Sequence, residues 1–300
     1  MKSSHFILNT VHQQRFAALY FLMCVTPITA NAASPYQQQE DVVFAQSHGV
    51  AITMDIFTPQ QNPNGLAIID VASGAWSSDR GKIRDHKRAL IFDIFCKRGY
   101  TVFAVRPGSL SRFSCADMVD HVEQAIKWVK SKSEQYQIDP DRIGIVGASA
   151  GGHLASLVAL RQKTPVAAAG VFFPPTDFLK FEGKPIDPQE QDGLGALARA
   201  LAFPDGIDSL TEAEIQSGLK SISPAHQVTA QAPPFLLIHG DADRVVPLEQ
   251  SERLVAALKK NDVPVELIVK PGGGHPWFTI PVEVSKLADW FDTQLSNEKK

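Results

Sequence analysis

The stretch Ile143-Gly144-Ile145-Val146-Gly147-Ala148-Ser149-Ala150-Gly151-Gly152-His153-Leu154 runs an apolar tetrapeptide directly into a Gly-x-Ser-x-Gly pentapeptide. The turn-forming Asp139-Pro140-Asp141 bounds it on the amino side, so Ile143–Val146 reads as a short buried strand. On the carboxyl side Leu154, Leu157 and Val158 recur at helical spacing on one face, ahead of Arg161. A serine on such a strand-to-helix turn projects its hydroxyl above the edge of a sheet. Glycines flank it because any side chain there would collide with the strand and the helix. A glycine-rich turn can also serve only to pack a helix closely on a sheet. The two readings separate on whether the rest of the chain supplies partners for the serine.

Outward from this turn, strand and helix signals alternate from about Leu66 to about Leu295, the pattern of one α/β domain. With 300 residues and 44% hydrophobic content, the chain can bury one large core. Val42–Phe44 and Ala51–Phe57 read as antiparallel strands joined at His48-Gly49, and Leu66–Ile69 as a buried strand running into Val71 to Trp76. One helix is expected over Lys82–Arg98, a strand over Tyr100–Val105 and a helix over Cys115–Tyr136. Beyond the serine helix come an apolar run at Val166–Phe173, strands at Phe235–Ile238 and Val265–Val269, and helices at Glu249–Lys260 and Val282–Leu295. Between them, about 176–230, the pattern breaks into glycines, prolines and charges with two short helical candidates, near Leu194–Leu201 and Glu212–Leu219. That is too long for an ordinary αβ connection and is read as a lid or specificity insertion; a loose surface excursion is the competing reading.

The amino terminus is a separate object. Lys2 and Arg15 precede the uncharged apolar run Phe16–Val25, and Ala30-Asn31-Ala32 is an A-x-A cleavage signature. Residues 1–32 therefore read as a secretory signal peptide, whose apolar core is too short to span a bilayer, and 33–300 as the exported, secreted or periplasmic domain. No stable membrane anchor is expected. The net charge of −3 and the absence of a basic stripe exclude nucleic acid as a natural partner. Cys96 and Cys115 remain in the mature chain, where an oxidising compartment would permit a bridge and buried free thiols are equally ordinary.

Open parallel sheets receive ligands beyond the carboxyl ends of their strands, so each partner of Ser149 should lie just after a strand. A neutral serine hydroxyl needs a base within hydrogen-bond reach. His48 sits in a hairpin turn, His86 and His121 on helices, His153 one turn into the serine helix and His226 in the insertion. Only His239 and His275 follow strands. The loop Pro271-Gly272-Gly273-Gly274-His275 can carry an imidazole across the sheet edge, whereas His239 is expected to pack or hydrogen-bond locally. An acid must fix the tautomer of the base. Asp243 is assigned that role, with Asp241 in the same loop the alternative and more naturally a turn residue. The chain order Ser149, Asp243, His275 is that of groups drawn from successive strands of a hydrolase sheet. Backbone amides at Ala150 and around Gly74 and Ala75 are the expected oxyanion donors. Trp76 reads either as a wall of the substrate pocket or as a plug under the loop, and Trp277 as a second pocket residue.

The run Ile138 to Ala155, with Phe173-Pro174-Pro175-Thr176-Asp177, Ala232 to Asp243 and Gly274-His275, resembles α/β-hydrolase fold serine esterases. The likeness is closest to the secreted branch described as carbohydrate acetyl esterases and feruloyl esterases. It covers nearly all of 41–295 and is weakest over 178–222. It implies a mostly parallel central sheet with helices on both faces, and Ser149, Asp243 and His275 as nucleophile, acid and base. Two positions depart from the pattern. Relatives commonly have His-Gly-Gly before Gly or Trp where this chain has Ser73-Gly74-Ala75-Trp76, and Pro276 follows His275 in place of Gly. The expected function is hydrolysis of a small-molecule or oligosaccharide ester through an acyl-enzyme, with no metal or organic cofactor implied. An amide hydrolase on the same triad and a non-catalytic binding protein are the alternatives.

Overall fold

A computed structural model describes residues 34–296; the proposed signal peptide lies outside them. The chain opens with a hairpin, β1 (Tyr36–Ser47) and β2 (Val50–Pro59), followed by β3 (Ala67–Val71). Next come α1 (Arg80–Arg88), α2 (Ile91–Lys97), β4 (Thr101–Arg106), α3 (Cys115–Ser131) and α4 (Ser133–Tyr136). The serine turn joins β5 (Ile143–Ala148) to α5 (Ala150–Arg161), and β6 (Ala168–Phe172) follows. The insertion contributes a small hairpin, β7 (Lys180–Phe181) and β8 (Lys184–Pro185), then α6 (Gly193–Ala202) and α7 (Glu212–Ser221). The chain returns through β9 (Phe235–Gly240), α8 (Glu249–Lys260), β10 (Val265–Lys270) and α9 (Ile280–Leu295).

The main sheet has eight strands in the order β1-β2-β4-β3-β5-β6-β9-β10. The β1–β2 and β2–β4 pairs are antiparallel and all later pairs are parallel. Strands β3, β5, β6 and β9 are buried along their whole length except Ala148, which explains their near-continuous apolar sequences. One core layer lies between the sheet and α3, α5, α6, α7 and α8; the other lies under α1, α2 and α9. This is the α/β-hydrolase architecture the sequence implied.

The expected helix over 82–98 is two helices. In one continuous helix Ile83 and His86 would share a stripe with residue 90, yet the apolar residues that follow are Ile91, Phe92, Phe95 and Cys96. Leu90, left-handed at φ 58°, resets the phase so that both segments face the sheet. The helix expected over 115–136 likewise divides after Ser131. Helix α5 is buried from Ala150 to Leu160, because it lies between the sheet, α3 and the insertion rather than presenting a single face. Cys96 and Cys115 are free thiols in different core layers, each pushed up to about 12 by burial.

Segment 176–230 is tied into the domain by buried hydrogen bonds. The amides of Thr176 and Asp177 both donate to Gln250 Oε1, at 2.9 and 2.8 Å, and the Phe178 amide donates to Ser223 Oγ at 2.8 Å. Asp177 also holds Arg253 at 3.2 Å. Ala198, Leu201, Ile215 and Leu219 carry the apolar core into the insertion.

Candidate active site

Ser149 occupies the turn between β5 and α5 with φ 52° and ψ −123°, a conformation disfavoured for any residue with a Cβ. The backbone around it leaves no room. A Cβ on Gly147 would stand 2.4 Å from the Gly151 carbonyl oxygen, and one on Gly151 would stand 2.2 Å from that of Val71. The Ser149 amide donates to the Phe172 carbonyl at 2.9 Å, which fixes the turn against β6.

The loops after β9 and β10 bring the expected partners to this point. His275 Nε2 lies 2.9 Å from Ser149 Oγ, and Nδ1 lies 2.6 Å from Asp243 Oδ2. The Asp243 side chain is fully buried, and its Oδ1 accepts the amides of Val245 and Val246 at 2.8 and 3.0 Å. Those bonds leave Oδ2 for the imidazole. Phe173 covers the His275 ring at a centroid distance of 4.4 Å. The His275–Pro276 peptide is cis. Asp241 is exposed and accepts the Gly272 amide at 2.6 Å, so it ties the two loops together without reaching His275. His239 is occupied locally, between Ser251 Oγ at 2.7 Å and the Val246 carbonyl at 2.8 Å, and burial lowers its pKa.

The expected oxyanion loop is a tight turn. Gly74 and Ser77 exchange both backbone hydrogen bonds at 3.0 Å, with Ala75 and Trp76 between them at φ 48° and 53°. That is the pattern of the primed hairpin turns, whose positive φ values suit glycine and asparagine better than alanine or tryptophan. The turn corrects one sequence expectation: the Gly74 N–H is engaged by the Ser77 carbonyl. The amides of Ala75 and Ala150 have no acceptor among the described residues. Gly151 donates to the Ser73 carbonyl at 3.0 Å, which stitches this turn to the start of α5.

Trp76 combines both of its sequence readings. Its indole N–H donates to His153 Nδ1 at 3.0 Å while the ring lines the cavity. His153, fully buried, donates from Nε2 to the Ile222 carbonyl at 2.7 Å. Burial depresses its pKa to about 4, so it is the neutral ring that links the turn, α5 and the insertion. Trp277 also lines the cavity, anchored through its indole N–H to buried Glu283 at 2.8 Å.

The cavity in front of Ser149 has a volume of about 900 Å³. The insertion supplies Phe178, Phe181, Leu194 and Leu197, while exposed Phe278 and Val245 stand on its rim. Sequence reading had not assigned these residues, since an apolar side chain in an irregular segment carries no signal of what it faces. His86 also lines the cavity and is bonded to buried Asp70. An aspartate inside the apolar run Ile68-Ile69-Asp70-Val71 was the one available cue to that pair.

Known proteins resemble this chain in sequence and in fold. The chain is 28% identical over 240 residues to the probable carboxylic ester hydrolase LipM of Mycobacterium tuberculosis, covering 75% of this chain and 52% of that protein. It is 24% identical over 235 residues to the isoprenylcysteine alpha-carbonyl methylesterase ICME of Arabidopsis thaliana, covering 74% and 53%. The chain thus spans about half the length of the curated relatives it matches. Among solved structures, a truncated carbohydrate esterase from gut microbiota superposes with a TM-score of 0.74 at 25% identity, covering 88% of this chain and 98% of that one. The esterase Est2 of Thermogutta terrifontis shares the fold, with a TM-score of 0.67 at 23% identity over 89% and 95% of the two chains. The model of the BD-FAE family matches residues 54–258. That match runs from β2 through the Ser149 turn to α8, well over half of the chain, and the protein belongs to the BD-FAE family.

Proposed function

We propose that this protein hydrolyses carboxylic esters through an acyl-enzyme formed on Ser149. The observation that carries the reading is the continuous relay from Ser149 Oγ through His275 to Asp243, opening on an apolar cavity. In the resting state the Ser149 hydroxyl donates to His275 Nε2, and Nδ1–H donates to Asp243. His275 takes the serine proton as Oγ attacks the carbonyl carbon, and Asp243 stabilises the imidazolium. The Ala150 and Ala75 amides receive the developing oxyanion, Ala150 from the amino end of α5. His275 then protonates the departing alcohol, and a water molecule deprotonated by His275 releases the acid. We extend the proposal to short acyl or hydroxycinnamoyl esters on plant polysaccharide fragments. The likeness to the gut-microbiota carbohydrate esterase and the aromatic cavity wall support that choice. Export is part of the proposal and rests on the 1–32 sequence pattern.

The test is a substrate panel on the secreted form: 4-nitrophenyl acetate and longer acyl esters, methyl ferulate, acetylated xylan and an N-formyl amide. Esters are expected to turn over, and Ser149→Ala to lower kcat by about 10⁶. Hydrolysis of the amide alone, or full activity in Ser149→Ala, refutes the proposal.

A further inference from the structure

A second histidine–aspartate pair lines the cavity, and the chemistry proposed above does not use it. Asp70 sits near the carboxyl end of β3, where open sheets receive ligands. By strand alternation it shares a face with Ile68 and Ala72, both of which belong to the apolar layer under α1, α2 and α9. Its carboxylate is fully buried, and both oxygens contact His86 Nδ1, at 2.7 and 3.0 Å. Buried ion pairs are often no more stabilising than apolar residues of the same volume, so stability alone does not account for this one.

His86 lines the cavity, and its other ring nitrogen is Nε2. Nε2 has no hydrogen-bond partner among the described residues, and it is not among the side-chain atoms shut away from accessible surface. Two more donors share this wall. Ser73 is 2% exposed, and its Oγ is a buried hydroxyl without a partner among the described residues. Lys82 lies one helical turn before His86 on α1. Its Cδ, Cε and Nζ run 3.1 Å from the point where a Cβ on Gly74 would stand, so its ammonium end lies beside Gly74, the residue after Ser73. Asp85 is the only carboxylate of α1 that lines the cavity. It is half exposed and shared between Lys82 at 3.6 Å and Arg88 at 3.1 Å. The corner is therefore rich in donors and poor in acceptors.

We propose that His86, with Ser73 and Lys82, forms a subsite for a free carboxylate carried by the ester substrate, an assignment that rests on the esterase reading of Ser149. Burial alone would depress the His86 imidazolium, but the charge and hydrogen bond of Asp70, with Asp85 adding, raise its pKa above the ordinary histidine value against a smaller effect from Lys82. The charged ring gives Nδ1–H to Asp70 and Nε2–H to the substrate carboxylate. Asp70 is thus a positioning residue and His86 a specificity-determining one.

Two matched substrate pairs test this. Monoethyl glutarate against ethyl pentanoate puts the carboxylate on the acyl side, and 4-acetoxybenzoate against 4-acetoxybenzamide puts it on the alcohol side. In one pair the wild type should favour the anionic ester by about tenfold or more in kcat/KM, the range of a hydrogen bond to a charged group. His86→Phe, and independently Asp70→Asn, should lower that ratio by a similar factor. A wild-type measurement stands apart from any variant: 4-hydroxybenzoate or glutarate should inhibit 4-nitrophenyl acetate hydrolysis about tenfold more strongly than the matching amide. Hydrolysis of the neutral esters with no carboxylate preference in either pair and equal inhibition by acid and amide overturns the subsite alone. Equal loss on both members of a pair in His86→Phe and Asp70→Asn overturns it too. Absence of hydrolysis of any ester by the wild type overturns the esterase reading and the subsite with it.

Discussion

Replacing His153 by glutamine isolates a titration that couples acid stability to the turn carrying Ala75 and Trp76. His153 is fully buried, accepts the Trp76 indole N–H at Nδ1 and donates from Nε2 to Ile222, so both ring nitrogens are satisfied only in the neutral form. A proton added at Nδ1 would face the Trp76 donor. Burial lowers its pKa from the ordinary 6.5 to about 4, with the Ile222 bond opposing. Because the folded value is the lower one, the unfolded chain binds the proton first as pH falls. Well above pH 6.5 neither state is charged and nothing is lost. Stability falls as pH drops from there toward 4, and below that the loss levels off at about 3 kcal/mol. Between pH 7 and pH 5 the expected loss is about 2 kcal/mol. Glutamine can make both hydrogen bonds and does not titrate. Urea unfolding at the two pH values should therefore show the wild type losing about 2 kcal/mol more than His153→Gln. His239, also depressed by burial, titrates in both proteins and cancels in the difference. Parallel pH dependence in the two proteins would refute the argument. Near pH 7 the variant should keep kcat within a few-fold, since Trp76 remains held.

The remaining predictions concern the relay and the turn that presents it. Asp243→Asn should lower kcat by about 10⁴ through loss of the correct imidazole tautomer, whereas Asp241→Asn, which weakens only the bond to the Gly272 amide, should stay within a few-fold. Near-normal turnover in Asp243→Asn would remove it from the relay. Ser149→Gly should abolish activity yet unfold at a higher urea concentration than Ser149→Ala, by about 1 kcal/mol, because glycine accepts φ 52° with ψ −123° and alanine does not. Equal stability of the two variants would mean that the turn stores no strain.

The buried strands and the places of Ser149, Asp243 and His275 just past them were legible because each depends on a local signal with one physical meaning. A continuous apolar run of strand length means burial on both faces, and a polar residue just past it stands at the ligand edge of a parallel sheet. The break at Leu90 was legible in principle too, since a helical stripe through Ile83 and His86 does not pass through Phe92 and Phe95. The insertion was not. Its course depends on Gln250, Ser223 and Asp177, which meet across more than forty residues and have no periodicity in common.

The turn at Gly74–Ser77, the proposed oxyanion turn, marks the boundary more sharply. Sequence reading named the amides of Gly74 and Ala75 without ranking them, because every residue except proline brings one N–H. What separates them is where the hydrogen bonds go. The Ser77 carbonyl takes the Gly74 amide, the Ser73 carbonyl takes the Gly151 amide, and Ala75 and Ala150 are left without acceptors among the described residues. Ala75 and Trp76 reach that state only at positive φ, a conformation that costs energy and persists only when its surroundings enforce it. The Trp76–His153 bond is one such restraint, and the Trp76 carbonyl accepting the Leu110 amide at 2.8 Å is another. Where relatives commonly have His-Gly-Gly, Ser73-Gly74-Ala75 keeps the Ala75 amide free and leaves a hydroxyl at Ser73, on the wall that also carries His86. On the proposed mechanism this departure leaves both oxyanion donors in place, and on the proposed subsite it sets the Ser73 hydroxyl toward the part of the substrate that does not react.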